Sequence, residues 1–154
     1  MIQIIDLKLF EKAKDYFSSD DLEESLKILK KLQYKYKNNY VLCNNIAISE
    51  LSLSNLSLAF RYFKKSLDIK ENFQAYFGLC TIYYSIKEYK KCYKCLLKVI
   101  ELKDDFLKDK DEQLSTSLNE NLKSLKRNLE EHIERGSYWW VILKNFYQWE
   151  NQLI

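Results

Sequence analysis

The chain has 154 residues, of which 47 % are apolar and 31 % are charged, and its formal net charge is +3. This charge is far from the strongly basic surface of nucleic-acid-binding proteins, so we expect no nucleic-acid partner. Because the sequence has no Pro, only two Gly and no linker-like stretch, it predicts one all-α domain over residues 1–154 with short polar turns between helices.

The first predicted helix pair covers about residues 6–39. Apolar residues recur at helical spacing over residues 5–17, and the polar run at 18–21 ends this helix and caps the next. A second helix is predicted over about residues 22–36. The first helix is the least regular one, because Lys12 stands where later helix pairs have apolar residues.

Two further helix pairs, over residues 40–72 and 73–106, repeat one pattern at an interval of 33 residues. Small residues stand where the two helices of a pair must touch, and large apolar residues follow four positions later. The small residues are Ala13, Ala47 and Cys80 in the first helices and Ser25, Ala59 and Cys92 in the second helices. The large ones are Leu29, Phe63 and Leu96. Such units cannot bury their faces alone, so the pattern indicates stacked helical repeats.

The period of 33 to 34 residues, the small positions and the aromatic residues Tyr16 and Tyr83 resemble the tetratricopeptide repeat. The resemblance covers residues 6–106 as about three repeats. Glu50 replaces the aromatic residue of the second copy. The Pro that usually closes each repeat is replaced by Lys37, Glu71 and Asp104. The resemblance implies a right-handed superhelix of helix pairs, in which the first helix of each pair lines a concave groove.

A capping helix is predicted over about residues 109–135, because the last repeat would otherwise leave an apolar face open. Its apolar stripe consists of Leu114, Leu118, Leu122, Leu125, Leu129 and Ile133. A short coiled-coil seam through the same leucines is the alternative. Gly136-Ser137 then breaks the chain, and an aromatic C-terminal helix is predicted over about residues 137–152.

No pattern typical of a catalytic or metal site is present, so we expect no enzyme activity, no metal and no cofactor. Cys43, Cys80 and Cys92 fall on positions that pack helix against helix, where free thiols act as small apolar residues. The Cys92-Tyr93-Lys94-Cys95 motif has no second pair, and His132 is the only His, so a zinc or redox site is only the alternative. The acidic pairs Asp20-Asp21 and Asp104-Asp105 are predicted at helix boundaries, where capping and the helix dipole account for them.

The resemblance implies a peptide-binding groove on the first helices. Its lining would be Phe10, Lys14, Asn44, Asn45, Ile48, Ser52, Phe77, Thr81, Tyr84 and Ser85. Asn amides can pair with an extended peptide and aromatic rings can form pockets, although a merely solvated face is the alternative. Family members that bind chaperone tails use five groove positions, and only Asn45 agrees, so an acidic chaperone tail is not expected. On the C-terminal helix, Trp140, Tyr147 and Trp149 are the predicted partner-docking residues.

These features predict a non-enzymatic adaptor, a scaffold subunit of a multi-protein complex that binds a protein through the groove, the C-terminal helix or both. A narrower resemblance, at residues 57–67 and 75–79, is to the tetratricopeptide subunit of the endoplasmic reticulum membrane protein insertion complex. The alternative is a membrane-peripheral adaptor whose C-terminal helix lies in the bilayer interface. A basic run is read as a solvated convex face, with an acidic partner or membrane surface as the alternative. It comprises Lys87, Lys90, Lys91, Lys94 and Lys98.

The expected localisation is cytoplasmic, with the cytosolic face of an organelle membrane as the alternative. Residues 1–6 lack the basic and apolar regions of a secretory signal. The C-terminal apolar run over residues 138–143 is far shorter than the roughly 20 residues of a membrane span. Membrane contact is therefore expected only indirectly or through the C-terminal helix.

Overall fold

The computed structural model describes residues 4–130, and this part of the chain is all-α, as predicted. The helices are α1 (Ile4–Ser18), α2 (Leu22–Lys35), α3 (Tyr40–Ser52), α4 (Leu56–Ile69), α5 (Phe73–Ser85), α6 (Tyr89–Leu107) and α7 (Glu112–Glu130). The described residues divide into two compact units, residues 4–71 (unit 1) and residues 72–130 (unit 2). Each unit is described by itself. The superhelical arrangement and the single-domain interpretation stay predictions.

The turn between the two helices of a pair has the same backbone geometry at three places. One residue in each turn is left-handed: Asp20 (φ 66°), Ser54 (φ 63°) and Lys87 (φ 62°). The N–H of the next residue donates to a carbonyl oxygen five positions back. These bonds are Asp21 to Tyr16 (2.8 Å), Asn55 to Glu50 (2.8 Å) and Glu88 to Tyr83 (2.9 Å). This is the Schellman ending of a helix, and it recurs with the period of the sequence pattern.

Polar side chains begin four of the helices by accepting a backbone N–H from the first turn. The carboxylates and amides that do so are Asp21 for α2, Asn39 for α3, Asn72 for α5 and Asp111 for α7, at distances of 3.4, 3.1, 2.9 and 2.8 Å. The cap at Asp111 places the start of α7 at Glu112, about three residues later than the predicted start.

In unit 1, α1 packs on α2, α2 on α3 and α3 on α4. The small residues lie at helix crossings as predicted, and Ser25 Oγ donates to the carbonyl oxygen of Ala13 at 2.8 Å. Ala47 and Ala59 have no exposed surface, and neither has Phe63 one turn further along α4. Lys12, the irregular position of the first helix, is exposed and its Nζ lies 5.6 Å from the ring centroid of Tyr16.

Glu50 is a buried carboxylate in unit 1 with only 2 % of its surface exposed. Lys30 Nζ donates to its Oε1 at 2.7 Å and Asn55 Nδ2 donates to its Oε2 at 2.8 Å. A buried carboxylate is tolerated only when its charge is paired and its oxygens are hydrogen-bonded. Where the other two helix pairs have Tyr16 and Tyr83, the second pair therefore has a carboxylate whose ion pair joins α2 to the end of α3.

A second polar contact in unit 1 joins the start of α1 to the end of α2. Asp6, which is 7 % exposed, accepts hydrogen bonds at Oδ2 from the Tyr36 hydroxyl and from Lys35 Nζ, the latter at 3.1 Å. The bond from Tyr36, followed by the bond from Lys35, lowers the pKa of Asp6 below its ordinary 3.8. The same contact with Asp6 raises the pKa of Lys35 above 10.5.

We predict that Asp6 stabilises the folded chain at neutral pH and that this stabilisation is lost in acid. Because its pKa is lowered in the folded chain, the contribution is complete above about pH 3.8 and is lost as the pH falls below that value. Asp6→Asn lacks the contribution at every pH. Urea unfolding should therefore show a gap between wild type and Asp6→Asn at neutral pH that narrows on acidification to about pH 3.

The matched control is Asp15→Asn, because Asp15 is an exposed carboxylate on the same helix. We expect the unfolding free energy of this variant to follow that of the wild type over the same pH range. A gap between wild type and Asp6→Asn that stays constant from neutral to acid pH would contradict the ionic role of Asp6.

In unit 2, α5 packs on α6 and α6 packs on α7. Cys80 and Cys92 occupy the small positions of this helix pair, and their Sγ atoms lie 3.3 Å apart, both buried. The predicted stripe of α7 is confirmed over the described residues. Its buried members are Leu114, Leu118, Leu122, Leu125 and Leu129. Ile133 lies outside the described residues.

Asp104-Asp105 lies at the end of a helix, as predicted, since both residues stand in the last turn of α6, which continues to Leu107. The predicted compensation of the helix dipole is wrong at this pair. The helix continues because Phe106 stacks on Phe73, with ring centroids 4.3 Å apart, and Leu107 is buried. The two carboxylates therefore stand at the negative end of the helix dipole, which disfavours their negative charge.

Candidate functional site

The structure places the predicted groove residues at three levels of exposure. Half of the ten are buried: Phe10, Asn44 and Ile48 in unit 1, and Phe77 and Tyr84 in unit 2. The half-buried ones are Lys14, Asn45 and Ser52 in unit 1 and Thr81 in unit 2, while Ser85 is exposed. Their role in binding a peptide stays a prediction.

The burial of Asn44 and Ile48 follows from the position of α3, which packs on α2 and on α4. Nine of its 13 residues are buried, and apolar side chains lie on all its sides. A helix of this kind is typical of a core position. The sequence carries this signal, because residues 40–52 lack the regular polar stripe of α2, and the prediction of groove residues did not use it.

The half-buried polar residues of the first helices use part of their hydrogen-bonding capacity on their own helix. Asn45 Nδ2 donates to the carbonyl oxygen of Val41 at 2.8 Å, and Thr81 Oγ1 donates to that of Phe77 at 3.0 Å. The Asn45 side chain is thereby held in one orientation. A fixed amide oxygen next to solvent is a suitable acceptor for a peptide N–H, and the ammonium of Lys14 is a suitable donor.

The predicted partner-docking residues Trp140, Tyr147 and Trp149 lie outside the described residues, and so does His132. The described part of the chain therefore offers Lys14, Asn45 and Ser52 in unit 1 and Thr81 and Ser85 in unit 2 as the accessible polar members of the predicted set.

The thiols of the described residues have the properties of packing groups. All four are free, and three of them are buried: Cys43, Cys80 and Cys92. The hydrogen bond with Cys92, together with burial, raises the pKa of Cys80 well above 9.0, and burial raises the pKa of Cys43. A thiol with a raised pKa is protonated at neutral pH and is a poor nucleophile and metal ligand.

Residues 4–130 contain neither a metal-binding cluster nor a helix that could cross a membrane. Within this range, no group of three or more His, Cys, Asp or Glu side chains is arranged to hold a metal ion. Over the same described residues, every helix falls short of the length and apolarity that crossing a membrane requires.

Neither a protein-family model nor a curated protein matches the sequence. The resemblance to the tetratricopeptide repeat consequently depends on the sequence pattern and on the helix pairs described above.

Proposed function

We propose that this protein is a non-enzymatic adaptor that binds an extended segment of another protein, and that it is built from three tetratricopeptide-like helix pairs and a capping helix. The observation that carries the proposal is the recurrent turn at Asp20, Ser54 and Lys87, with its identical hydrogen bonds. A backbone geometry that recurs in step with the small residues of the sequence is the property of a repeat protein.

Repeat proteins of this type bind partners on the surface formed by equivalent helices of successive units. In unit 1 the equivalent helices are α1 and α3, with Lys14, Asn45 and Ser52 as accessible polar groups, and in unit 2 the corresponding helix α5 carries Thr81 and Ser85. Amide, ammonium and hydroxyl groups can hydrogen-bond to the N–H and C=O groups of an extended peptide. Binding of this kind needs donors and acceptors and no deep apolar pocket. We infer that the ligand is an extended polypeptide segment.

The proposal also includes a scaffold role in a larger assembly, supported by the narrower sequence resemblance at residues 57–67 and 75–79. The α4 part of this stretch keeps exposed basic residues beside the buried Ala59 and Phe63. A membrane-peripheral role is the competing outcome of the experiment below, because it requires the predicted C-terminal helix to bind lipid.

Asn45→Ala is expected to weaken partner binding while leaving stability nearly unchanged. The side chain of Asn45 is half-buried and bonds only one turn back along its own helix among the described contacts. Loss of one hydrogen bond to a peptide corresponds to about a three- to tenfold weaker affinity. The partner is obtained by affinity purification of the full chain from its own cell, and its affinity is then measured by calorimetry.

The matched control is Asn38→Ala, since Asn38 is exposed and lies outside the helices. Partner affinity should be unchanged in this variant. Equal affinities of Asn45→Ala and the wild type would dismiss the groove assignment. Flotation of the full chain with liposomes, without a captured protein, would favour the membrane-peripheral alternative over the adaptor.

A further inference from the structure

The solvent-facing side of α6 carries a charge pattern that divides the helix into two halves. Basic residues occupy its N-terminal part up to position 98 and acidic residues its C-terminal part from position 101, and one apolar residue stands directly before the last basic one. In order, these residues are Lys90, Lys91, Lys94, Leu97, Lys98, Glu101, Asp104 and Asp105. All are exposed except Lys98, which is half-buried, and Leu97 is 45 % exposed. These residues are called the α6 stripe below.

The charges of the α6 stripe run against the dipole of the helix. Lys90 and Lys91 lie in the first turn, where the dipole favours acidic residues, and Asp104 and Asp105 lie in the last turn, where it favours basic ones. In contrast, α2 and α7 have acidic residues in their first turns and a basic residue in their last turns. The order of charges in the α6 stripe is therefore unfavourable with respect to the dipole of its own helix, although Lys98 with Glu101 and Lys103 with Asp104 form ion pairs within α6.

The pattern is symmetric about a point between Leu97 and Lys98. At 100° per residue, Lys94 and Glu101 lie within about 20° of each other on opposite sides of this point. The basic pair at 90 and 91 and the acidic pair at 104 and 105 are equally far from it. With a two-fold axis at this point, the charged groups of the stripe lie opposite groups of the other sign from a second copy. Lys98 is the exception, and it forms an ion pair with Glu101 of its own helix.

We propose that α6 mediates antiparallel self-association of two copies of this chain through the α6 stripe. Lys90 and Lys91 of each copy face Asp104 and Asp105 of the other, and Lys94 faces Glu101. Each of these contacts occurs twice because of the two-fold axis. Leu97 meets the same residue of the second copy at the centre, and the opposed helix dipoles are compensated at both ends.

The expected association is weak and depends on salt. One helix face is smaller than the roughly 800 Å² per partner of a standard interface. The contacts are exposed ion pairs, which salt screens. Some of them compete with pairs inside the chain, since Lys98 Nζ lies 3.0 Å from Glu101, Lys91 Nζ lies 3.2 Å from Glu88 and Lys103 Nζ lies 3.0 Å from Asp104. Self-association should therefore be strongest at low ionic strength.

The test uses two charge-reversed variants of the full chain, measured by sedimentation equilibrium at low salt. The first variant, Lys90→Glu with Lys94→Glu, puts acidic groups against acidic groups in a pair of identical copies. The second, Glu101→Lys with Asp104→Lys, puts basic groups against basic groups. We expect each variant alone to self-associate at least about tenfold more weakly than the wild type, because both copies change.

A mixture of the two variants distinguishes the proposal from general charge effects. In a mixed pair, each Glu of the first variant faces a Lys of the second, and the unchanged residues face each other as in the wild type. The mixed pair should therefore form with about the affinity of the wild-type pair. The chain that carries all four changes should also self-associate, and it should melt at a higher temperature because its charges then follow the dipole.

The matched control is Lys64→Glu with Lys65→Glu on α4, which makes the same change in net charge at two exposed positions. Its self-association should stay within about twofold of the wild type. Helix content is checked by circular dichroism for every variant. The salt dependence of wild-type self-association is an independent measurement that needs no substitution.

Three results would overturn the proposal. The wild type would remain monomeric at low salt and high concentration, or the mixed pair would associate no better than the variants alone. In the third result, monomeric wild type would bind polyglutamate or vesicles of anionic lipid, and Lys90→Glu with Lys94→Glu would abolish that binding. The occupant of the α6 stripe would then be an acidic ligand and not a second copy.

Discussion

Phe63→Ala is expected to lower the free energy of unfolding by about 3–5 kcal/mol, which is the usual cost of truncating a fully buried aromatic residue. Phe63 has no exposed surface and is among the largest fully buried side chains of the described residues. It occupies the position in α4 that corresponds to Leu29 in α2 and Leu96 in α6, both of which are buried. Urea unfolding followed by circular dichroism measures the effect.

The matched control for this prediction is Phe60→Ala on the same helix, because Phe60 is only half-buried. We expect it to cost less than half as much as Phe63→Ala, since less apolar area is lost. Equal costs at the two positions would mean that the buried face of α4 is not the one described.

Ala59→Leu is expected to cost about 1–3 kcal/mol, because three added carbon atoms must enter a space that is already filled. Ala59 in α4 and Ala47 in α3 both have no exposed surface where the two helices pack. The larger side chain would force the helices apart or into strained rotamers. The same unfolding measurement applies.

Ser57→Leu is the control for overpacking, since Ser57 is exposed two positions earlier on α4. A surface substitution of this kind normally changes stability by no more than about 0.5 kcal/mol. If Ala59→Leu unfolded at the same urea concentration as the wild type, the small positions would not define the helix crossings, and the repeat pattern would lose its physical basis.

The parts of the fold that the sequence predicts are those in which side-chain volume decides the packing. Ser25 and Ala13, and likewise Cys80 and Cys92, are small because two helix backbones approach each other there, and they make direct contacts. The leucine stripe of α7 is equally predictable from the sequence, since its spacing repeats over more than four turns. In each of these cases the residue type is constrained by its own helix pair or its own helix.

The exposure of the first helices could not be predicted in the same way. Whether Asn44 or Ile48 reaches solvent depends on helices packed on two sides of α3, and a pattern within one helix does not describe its neighbours. The end of α6 was predicted to within about one residue, but the reason for its position was not. The ring of Phe106 stacks on the ring of Phe73, so the helix continues past Asp104 and Asp105 although the dipole disfavours them there. Both features depend on contacts that are remote in sequence.

The carboxylate of Glu50 has a consequence for how this chain could change during evolution. Ideal repeat units are interchangeable, because each presents the same apolar face to any neighbour. The second helix pair is not interchangeable, since Glu50 needs the ammonium of Lys30 from the preceding pair. Placing this helix pair after the third one would bury the carboxylate without a counter-charge, because Leu97 stands there at the position that corresponds to Lys30. Any pair that precedes the second one therefore needs a basic residue at this position, even though the backbones of the pairs follow a common plan.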